Sequence, residues 1–189
     1  MIFRMRVISG SRRGRKLISF EGTDIRPTTD RVKESIFNLI AGYVAGSRVL
    51  DLFGGSGALS IEALSRGAEY AVIVDSSIKS MELIKKNIEL TDFSDKTKTV
   101  VSTAEKFVSE NKNNFDVIFL DPPYNKGFVI PVLTAVSERG ILSEDGIAVL
   151  ESDFRDDHGE IEGLEILKQR KYGRTYITVY KRKSGKDVD

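Results

Sequence analysis

The sequence predicts an α/β protein: a seven-stranded, mostly parallel sheet with helices on both faces and an antiparallel hairpin at the C-terminal end. Three observations carry this. From Ser47 onward, short apolar runs alternate with helix-like stretches, the pattern of βαβ units. The runs are rich in β-branched residues, as strands buried on both faces are. The last two strand-like runs follow one another with no helix between them, so they pair as a hairpin at a sheet edge.

Residues 1–26 read as a small basic strand-and-turn extension, punctuated by Gly10, Gly14 and Gly22, ahead of one domain over 27–189. Pro27-Thr28-Thr29-Asp30 offers helix-start chemistry. The amphipathic set Val32, Ile36, Leu39, Ile40 and Tyr43 follows it, in a helix expected to end near Gly42 or Gly46. Strands are expected at 48–53, 70–75, 99–103, 115–121 and 146–152, with helices at 58–66, 77–90, 104–111 and 128–138 between them. In the second of these helices Ile78, Met81, Ile84 and Ile88 recur at spacing 3-3-4, one face of a helix. The closing hairpin spans 164–170 and 175–182 and turns through Tyr172-Gly173-Arg174.

The formal net charge of +1, from 29 basic and 28 acidic residues, conceals a segregation. Residues 1–16 hold six cations and no acid, residues 168–186 hold eight and no acid, and the stretch between is acidic. Phosphate contacts respond to local rather than total charge. The two basic ends therefore fit a polyanion-binding face, or else a pair of solvated termini. The chain has no cysteine, which excludes a disulfide framework, a thiolate nucleophile and a Cys-based zinc site. Its single histidine cannot build a His-rich metal centre. No apolar run approaches the roughly 20 residues that span a bilayer, and the basic N-terminus lacks the apolar core of a signal peptide. A cytoplasmic protein with no membrane and no metal is expected.

Asp51-Leu52-Phe53-Gly54-Gly55-Ser56-Gly57 follows the first strand and opens a helix. Glycines there let the backbone turn sharply and let a ligand approach the main chain at a helix N-terminus. No Gly-Lys-Ser/Thr follows, so this is not a Walker A loop. Ser60 stands where a dinucleotide fingerprint has its third small glycine or alanine. The acid ahead of Phe53 suits a ligand with an amino-acid moiety and no diphosphate. Asp75 ends the second strand, where an acid can accept from both ribose hydroxyls. The plain alternative is a structural strand-to-helix turn.

Asp121-Pro122-Pro123-Tyr124 falls at the carboxyl end of the fourth strand, the edge where open parallel sheets bind ligands. Two prolines hold the chain extended and remove two N–H donors. The Asp121 carboxylate and the Pro122 carbonyl remain as acceptors, with Tyr124 as a flat surface beside them. This set matches an amino group on an aromatic base: two N–H bonds are accepted while the ring stacks. A proline-stiffened turn with a buried tyrosine is the structural alternative.

The Asp51–Gly57 loop, Asp75 and Asp121-Pro122-Pro123-Tyr124 together resemble the motifs of class I S-adenosylmethionine-dependent methyltransferases that modify exocyclic amines. Arg6-Val7-Ile8-Ser9-Gly10, Arg13-Gly14-Arg15-Lys16-Leu17 and Arg26-Pro27-Thr28-Thr29-Asp30-Arg31-Val32-Lys33-Glu34, with Phe37-Asn38, are similar to the bacterial RsmD family. Those enzymes methylate a guanine exocyclic amine in 16S ribosomal RNA. The resemblance runs from about residue 4 to residue 182 and implies a Rossmann-like class I methyltransferase fold over 27–189. It implies that Asp51, Phe53, Gly54, Gly55 and Gly57 cradle the methionine part of S-adenosylmethionine. Asp75 would take the ribose, and the Thr103-Ala104 turn would border the adenine. Many such enzymes have an acid after the third strand to hold the adenine amine. Ser102-Thr103-Ala104 has none, so a backbone group would have to serve.

The same resemblance makes Asp121, Pro122, Pro123 and Tyr124 the catalytic set and puts Thr28 and Arg31 at the mouth of the site. Arg12, Arg13, Arg15 and Lys16 would contact RNA phosphates. The expected reaction is direct methyl transfer to guanine N2 in 16S ribosomal RNA by a monomer acting on an assembling small subunit. Rival readings are a DNA or other RNA amino-methyltransferase acting on adenine N6 or cytosine N4, and a non-catalytic RNA-binding module with a vestigial pocket.

Overall fold

A computed structural model describes residues 5–19, 30–123, 127, 129–153, 158 and 160–183. Seven strands form one sheet: β1 (Arg48–Asp51), β2 (Tyr70–Asp75), β3 (Thr97–Val101), β4 (Phe115–Leu120), β5 (Leu142–Asp153), β6 (Leu164–Tyr172) and β7 (Thr175–Arg182). Their order across the sheet is β3-β2-β1-β4-β5-β7-β6. The first five pair in parallel, and β7 runs antiparallel between β5 and β6. The helices are α1 (Asp30–Leu39), α2 (Ala41–Val44), α3 (Ala58–Ser65), α4 (Ile78–Leu90), α5 (Ala104–Glu110) and α6 (Val129–Glu138). This is the predicted class, hairpin included. Among the described residues no helix is long and apolar enough to cross a membrane.

Side-chain alternation divides the core between the two faces of the sheet. Val49, Ile73, Val117 and Phe119 face one cluster with Ile36 and Phe37 of α1, Ile61 of α3 and Ile84 of α4. Their neighbours Leu50, Val72, Val74 and Ile118 face the other, with Val108 of α5 and Val132 and Leu133 of α6. Burial on both faces is why these strands read as unbroken apolar runs.

Besides shifts of one or two residues, such as β1 ending at Asp51 rather than 53 and β6 at Tyr172 rather than 170, three differences from the sequence reading have a local cause. The first helix stops at Leu39, and a separate turn of helix, α2, follows Ile40, whose ψ of 16° leaves the helical range. β3 occupies Thr97–Val101, two residues earlier than expected, because this edge strand is only partly buried and its apolar run does not mark its start. Thr103, expected to end that strand, instead caps α5 by accepting from the Lys106 N–H. β5 begins at Leu142 rather than 146. Leu142 pairs with Phe115, and the polar residues that follow it fall in a register shift before Ile147 pairs with Val117.

The N-terminal segment folds back on itself. The Val7 N–H donates to the Arg15 carbonyl at 2.9 Å and the Leu17 N–H to the Met5 carbonyl at 3.0 Å, around a turn holding Gly10 and Gly14. Gly10 has φ +83°, and a Cβ there would collide with the Ser65 carbonyl oxygen, so glycine is required at this close approach.

This arm is docked by a buried acid. Glu62 has no exposed surface, and all eight residues of α3 are buried. Its carboxylate accepts from the Ile8 N–H at 2.8 Å, the Ser9 N–H at 3.0 Å and the Arg66 guanidinium at 2.8 Å. The Lys33 ammonium of α1 stands 3.3 Å away, only 2% exposed, and also donates to the Arg6 carbonyl. Burial pulls the Lys33 pKa below its ordinary value, and Glu62 opposes that pull. Arg66 also lies over the Phe37 ring, which meets Phe119 of β4.

Replacing Glu62 by Ala leaves a buried ammonium without its carboxylate and two arm N–H groups unpaired. The expected loss is about 3–5 kcal/mol by urea unfolding, part of it recovered by adding Lys33→Met. A loss below about 1 kcal/mol, the range of surface pairs, would contradict this reading.

Candidate active site

The strand order reverses between β1 and β4, and at such a switch point the carboxyl ends of parallel strands open a crevice. In the sheet register Asp51 lies between Ile73 of β2 and Phe119 of β4. Two residues beyond those partners come Asp75 and Asp121, so the three carboxylates share one edge of three adjacent strands.

Asp51 is buried, at 1% exposure. Its carboxylate accepts from the Ser60 hydroxyl at 3.0 Å, with the Phe53 N–H at 3.4 Å. Burial pushes its pKa up to about 7; the Ser60 bond opposes that, while Asp121 and Asp75 add to the upward push. None of these influences is cationic. Ser60, noted in the sequence only as a departure from a dinucleotide fingerprint, is thus the partner of the central acid.

The glycine loop is built for backbone presentation. Gly55 and Gly57 have φ of +57° and +79°, and Gly57 caps α3. Gly54 lies against Ile73 and Ile84, where a Cβ would overlap both side chains. The loop is tied to β2: the Gly54 N–H donates to the Val74 carbonyl at 2.9 Å, and the Gly55 N–H donates to Asp75 Oδ2 at 2.8 Å. Asp75 Oδ1 accepts from the Ser77 N–H at 2.8 Å. Each oxygen keeps a further lone pair.

Thr103 and Ala104 stand beside this edge, because the Ser102 N–H donates to the Asp75 carbonyl at 3.1 Å. The Thr103 side chain is engaged as the α5 cap, and Ala104 is buried. After β4, Asp121 is half-buried, Pro122 buried and Pro123 exposed. Tyr124 and Thr28 lie outside the described residues. Arg31 is exposed in the first turn of α1, beside Asp30, which pairs with Arg6 at 3.0 Å.

A family model described as "Conserved hypothetical protein 95" matches residues 5–181. The ribosomal RNA small subunit methyltransferase D of Escherichia coli K12 is 30% identical over 186 residues, 98% of this chain and 93% of that one. The chain belongs to the RsmD family of methyltransferases. A Bacillus subtilis protein, YlbH, is 42% identical over 183 residues, covering 95% of this chain and 100% of its own. The solved structure of yhhF from Escherichia coli superposes with a TM-score of 0.85 at 30% identity, covering 95% of this chain and 98% of that one. This chain therefore shares its fold with that structure.

Within this RsmD-family fold the basic residues of the arm do not join the carboxylate edge. Arg12 donates through Nε to the Thr91 carbonyl at 2.8 Å, lies over the Phe93 ring and stands 3.7 Å from Asp92, as does Arg15. The Arg12 N–H donates to Ser65 at the end of α3, whereas the glycine loop is at its start. Eight residues of helix put the two about 12 Å apart along its axis. Arg13 and Lys16 are exposed, with no side-chain partner among the described residues. Sequence reasoning missed Glu62, Lys33 and Asn87. The available signal was a single acid within the otherwise small and apolar Ala58–Ser65.

The Asp51 shift has a consequence for the unliganded protein. A carboxyl with a folded pKa of about 7 against 3.8 unfolded is held in its protonated form by folding. Stability therefore falls as pH rises from about 4 to about 7, and the full cost is present above 7. Asp51→Asn should accordingly unfold at higher denaturant than the parent at pH 8, with the advantage shrinking toward pH 5. An advantage independent of pH would contradict the assignment.

Proposed function

We propose that the chain methylates the exocyclic N2 of a guanine in small-subunit ribosomal RNA, with S-adenosylmethionine as cofactor. The observation that carries this reading is the three-carboxylate edge of β2, β1 and β4, joined to an Asp-Pro-Pro segment and with no cation among the influences on its central acid. The donor set fits the cofactor. Asp75 has one unused lone pair on each oxygen for vicinal hydroxyls, and Asp51, raised by burial and like charge, gains from a cationic amino-acid moiety. The glycine loop would hold that moiety on its main chain, and the backbone around Ser102 and Thr103 would border the adenine.

The cofactor supplies an electrophilic methyl on a sulfonium. A guanine amine is a poor nucleophile because its lone pair is delocalised into the ring. Asp121 and the Pro122 carbonyl would accept its two hydrogens, favouring a pyramidal nitrogen with its lone pair directed at the methyl. Tyr124 would stack the base. Positioning and electrostatics then do most of the catalysis, and the surplus proton leaves through Asp121 or water.

Residues 1–26 serve as an RNA-guiding extension of a methyltransferase domain at 27–189. Arg13 and Lys16 would meet phosphates directly, with Arg31 and Thr28 at the mouth. Arg12 and Arg15, tied to Asp92, would contribute chiefly to the potential. A phosphate contact at Arg13, next to Arg12 and about a helix length from the glycine loop, suits a long, structured substrate, such as the RNA of an assembling subunit. The protein would act there as a cytoplasmic monomer.

The test is transfer of radiolabelled methyl from S-adenosylmethionine to undermethylated 30S subunits, free 16S RNA and DNA. Label on a guanine amine of the ribosomal material is expected. Asp121→Ala should lower the rate by two or more orders of magnitude, the size of one lost electrostatic contact, while cofactor affinity changes little. Label confined to DNA, or equal loss of cofactor binding in that variant, would contradict the proposal.

A further inference from the structure

Asn87 of α4 has no exposed surface, and its carboxamide is used at three points. Its Oδ1 accepts from the Ile18 N–H at 2.8 Å, and its Nδ2 donates to the Ile18 carbonyl at 2.9 Å and to the Ser56 carbonyl at 2.9 Å. One orientation of the amide satisfies all three, since both carbonyls need the NH₂ group and the Ile18 N–H needs the oxygen. Ile18 continues the arm beyond its Leu17–Met5 pairing. Ser56 stands between Gly55 and Gly57, and the Gly55 N–H is the one that binds Asp75. A leucine would fill much the same volume. What the carboxamide adds is a link between two backbone segments far apart in sequence.

The arm and the loop meet a second time. The Ser56 hydroxyl lies 3.8 Å from the sulfur of Met5, which sits opposite Leu17 in the arm hairpin. A shift of Ser56 is therefore transmitted to the arm through Asn87 and Met5, and to Asp75 through Gly55.

We infer that Asn87 is a positioning residue that couples the arm to the glycine loop, so that ribosomal RNA on the arm and cofactor in the loop strengthen one another's binding. The inference rests on the functional reading above, in which the arm guides RNA and the loop holds the cofactor. Coupling of this kind is reciprocal: whatever factor RNA contributes to cofactor affinity, cofactor contributes to RNA affinity. Neither ligand touches Asn87; it acts by holding Ser56 and Ile18 at fixed separation.

The experiment uses the full chain and S-adenosylhomocysteine. In the parent protein S-adenosylhomocysteine should slow hydrogen exchange at the Val7, Ile8 and Leu17 amides several-fold, and a 16S RNA fragment should tighten its binding by on the order of fivefold or more. Asn87→Leu should still bind each ligand alone but lose both the slowed exchange and the tightening. Ile18→Pro, at an exposed position, removes the N–H that Asn87 Oδ1 accepts but keeps the Ile18 carbonyl bond, so it should weaken both effects without abolishing them; it serves if the leucine variant folds poorly. Undiminished coupling in both variants would overturn the inference, as would a parent that binds S-adenosylhomocysteine without slowing exchange in the arm. A parent that binds no S-adenosylhomocysteine at all would instead overturn the functional reading, and this inference with it.

Discussion

The fold is organised around a carboxylate that has no access to water. A buried Glu62 is tolerable only if its charge is matched and its lone pairs are filled. Lys33 of α1, Arg66 of the turn after α3 and two N–H groups of the arm meet that demand. Satisfying one side chain thus fixes where α1 crosses the sheet and where the arm lies. Through Arg66 on Phe37, and Phe37 on Phe119, the same cluster abuts the strand that leads to Asp121.

Helix α3 carries two buried acids' worth of consequences within three residues. Glu62 faces the arm and is over-supplied with cations. Ser60 faces the sheet and holds Asp51, which has no cation to offset its burial and is pushed toward neutrality. The first arrangement is complete within the protein; on the proposed function, a positively charged ligand completes the second. In that proposal a structural acid and a ligand-binding acid are distinguished by what surrounds them rather than by their depth. The glycine loop at the start of the same helix places both under one rigid element.

Much of this was legible in the sequence, for physical reasons. Parallel strands buried on both faces must be apolar throughout, so 70–75 and 115–121 announced themselves, and the acids that interrupt them at their ends marked the candidate binding edge. The Asp51–Gly57 loop was visible because glycine most readily adopts the positive φ seen at Gly55 and Gly57. Edge elements were harder: β3 is half exposed, and its apolar residues do not bound it. Glu62 and Asn87 were invisible because the arm groups they hold lie 53 to 54 and 69 residues away and are backbone groups, which leave no mark on composition. Arg12 showed as a cation but not as one already committed to Thr91, Phe93 and Asp92.

Whether the proposed three-acid edge serves guanine in ribosomal RNA is decided by nucleoside mass spectrometry of 16S RNA from a strain lacking the protein, with and without complementation. One N2-methylguanosine per molecule should be lost, and restored by the parent gene but not by Asp121→Ala. An unchanged N2-methylguanosine content, or restoration by the Asp121→Ala variant, would contradict the proposal.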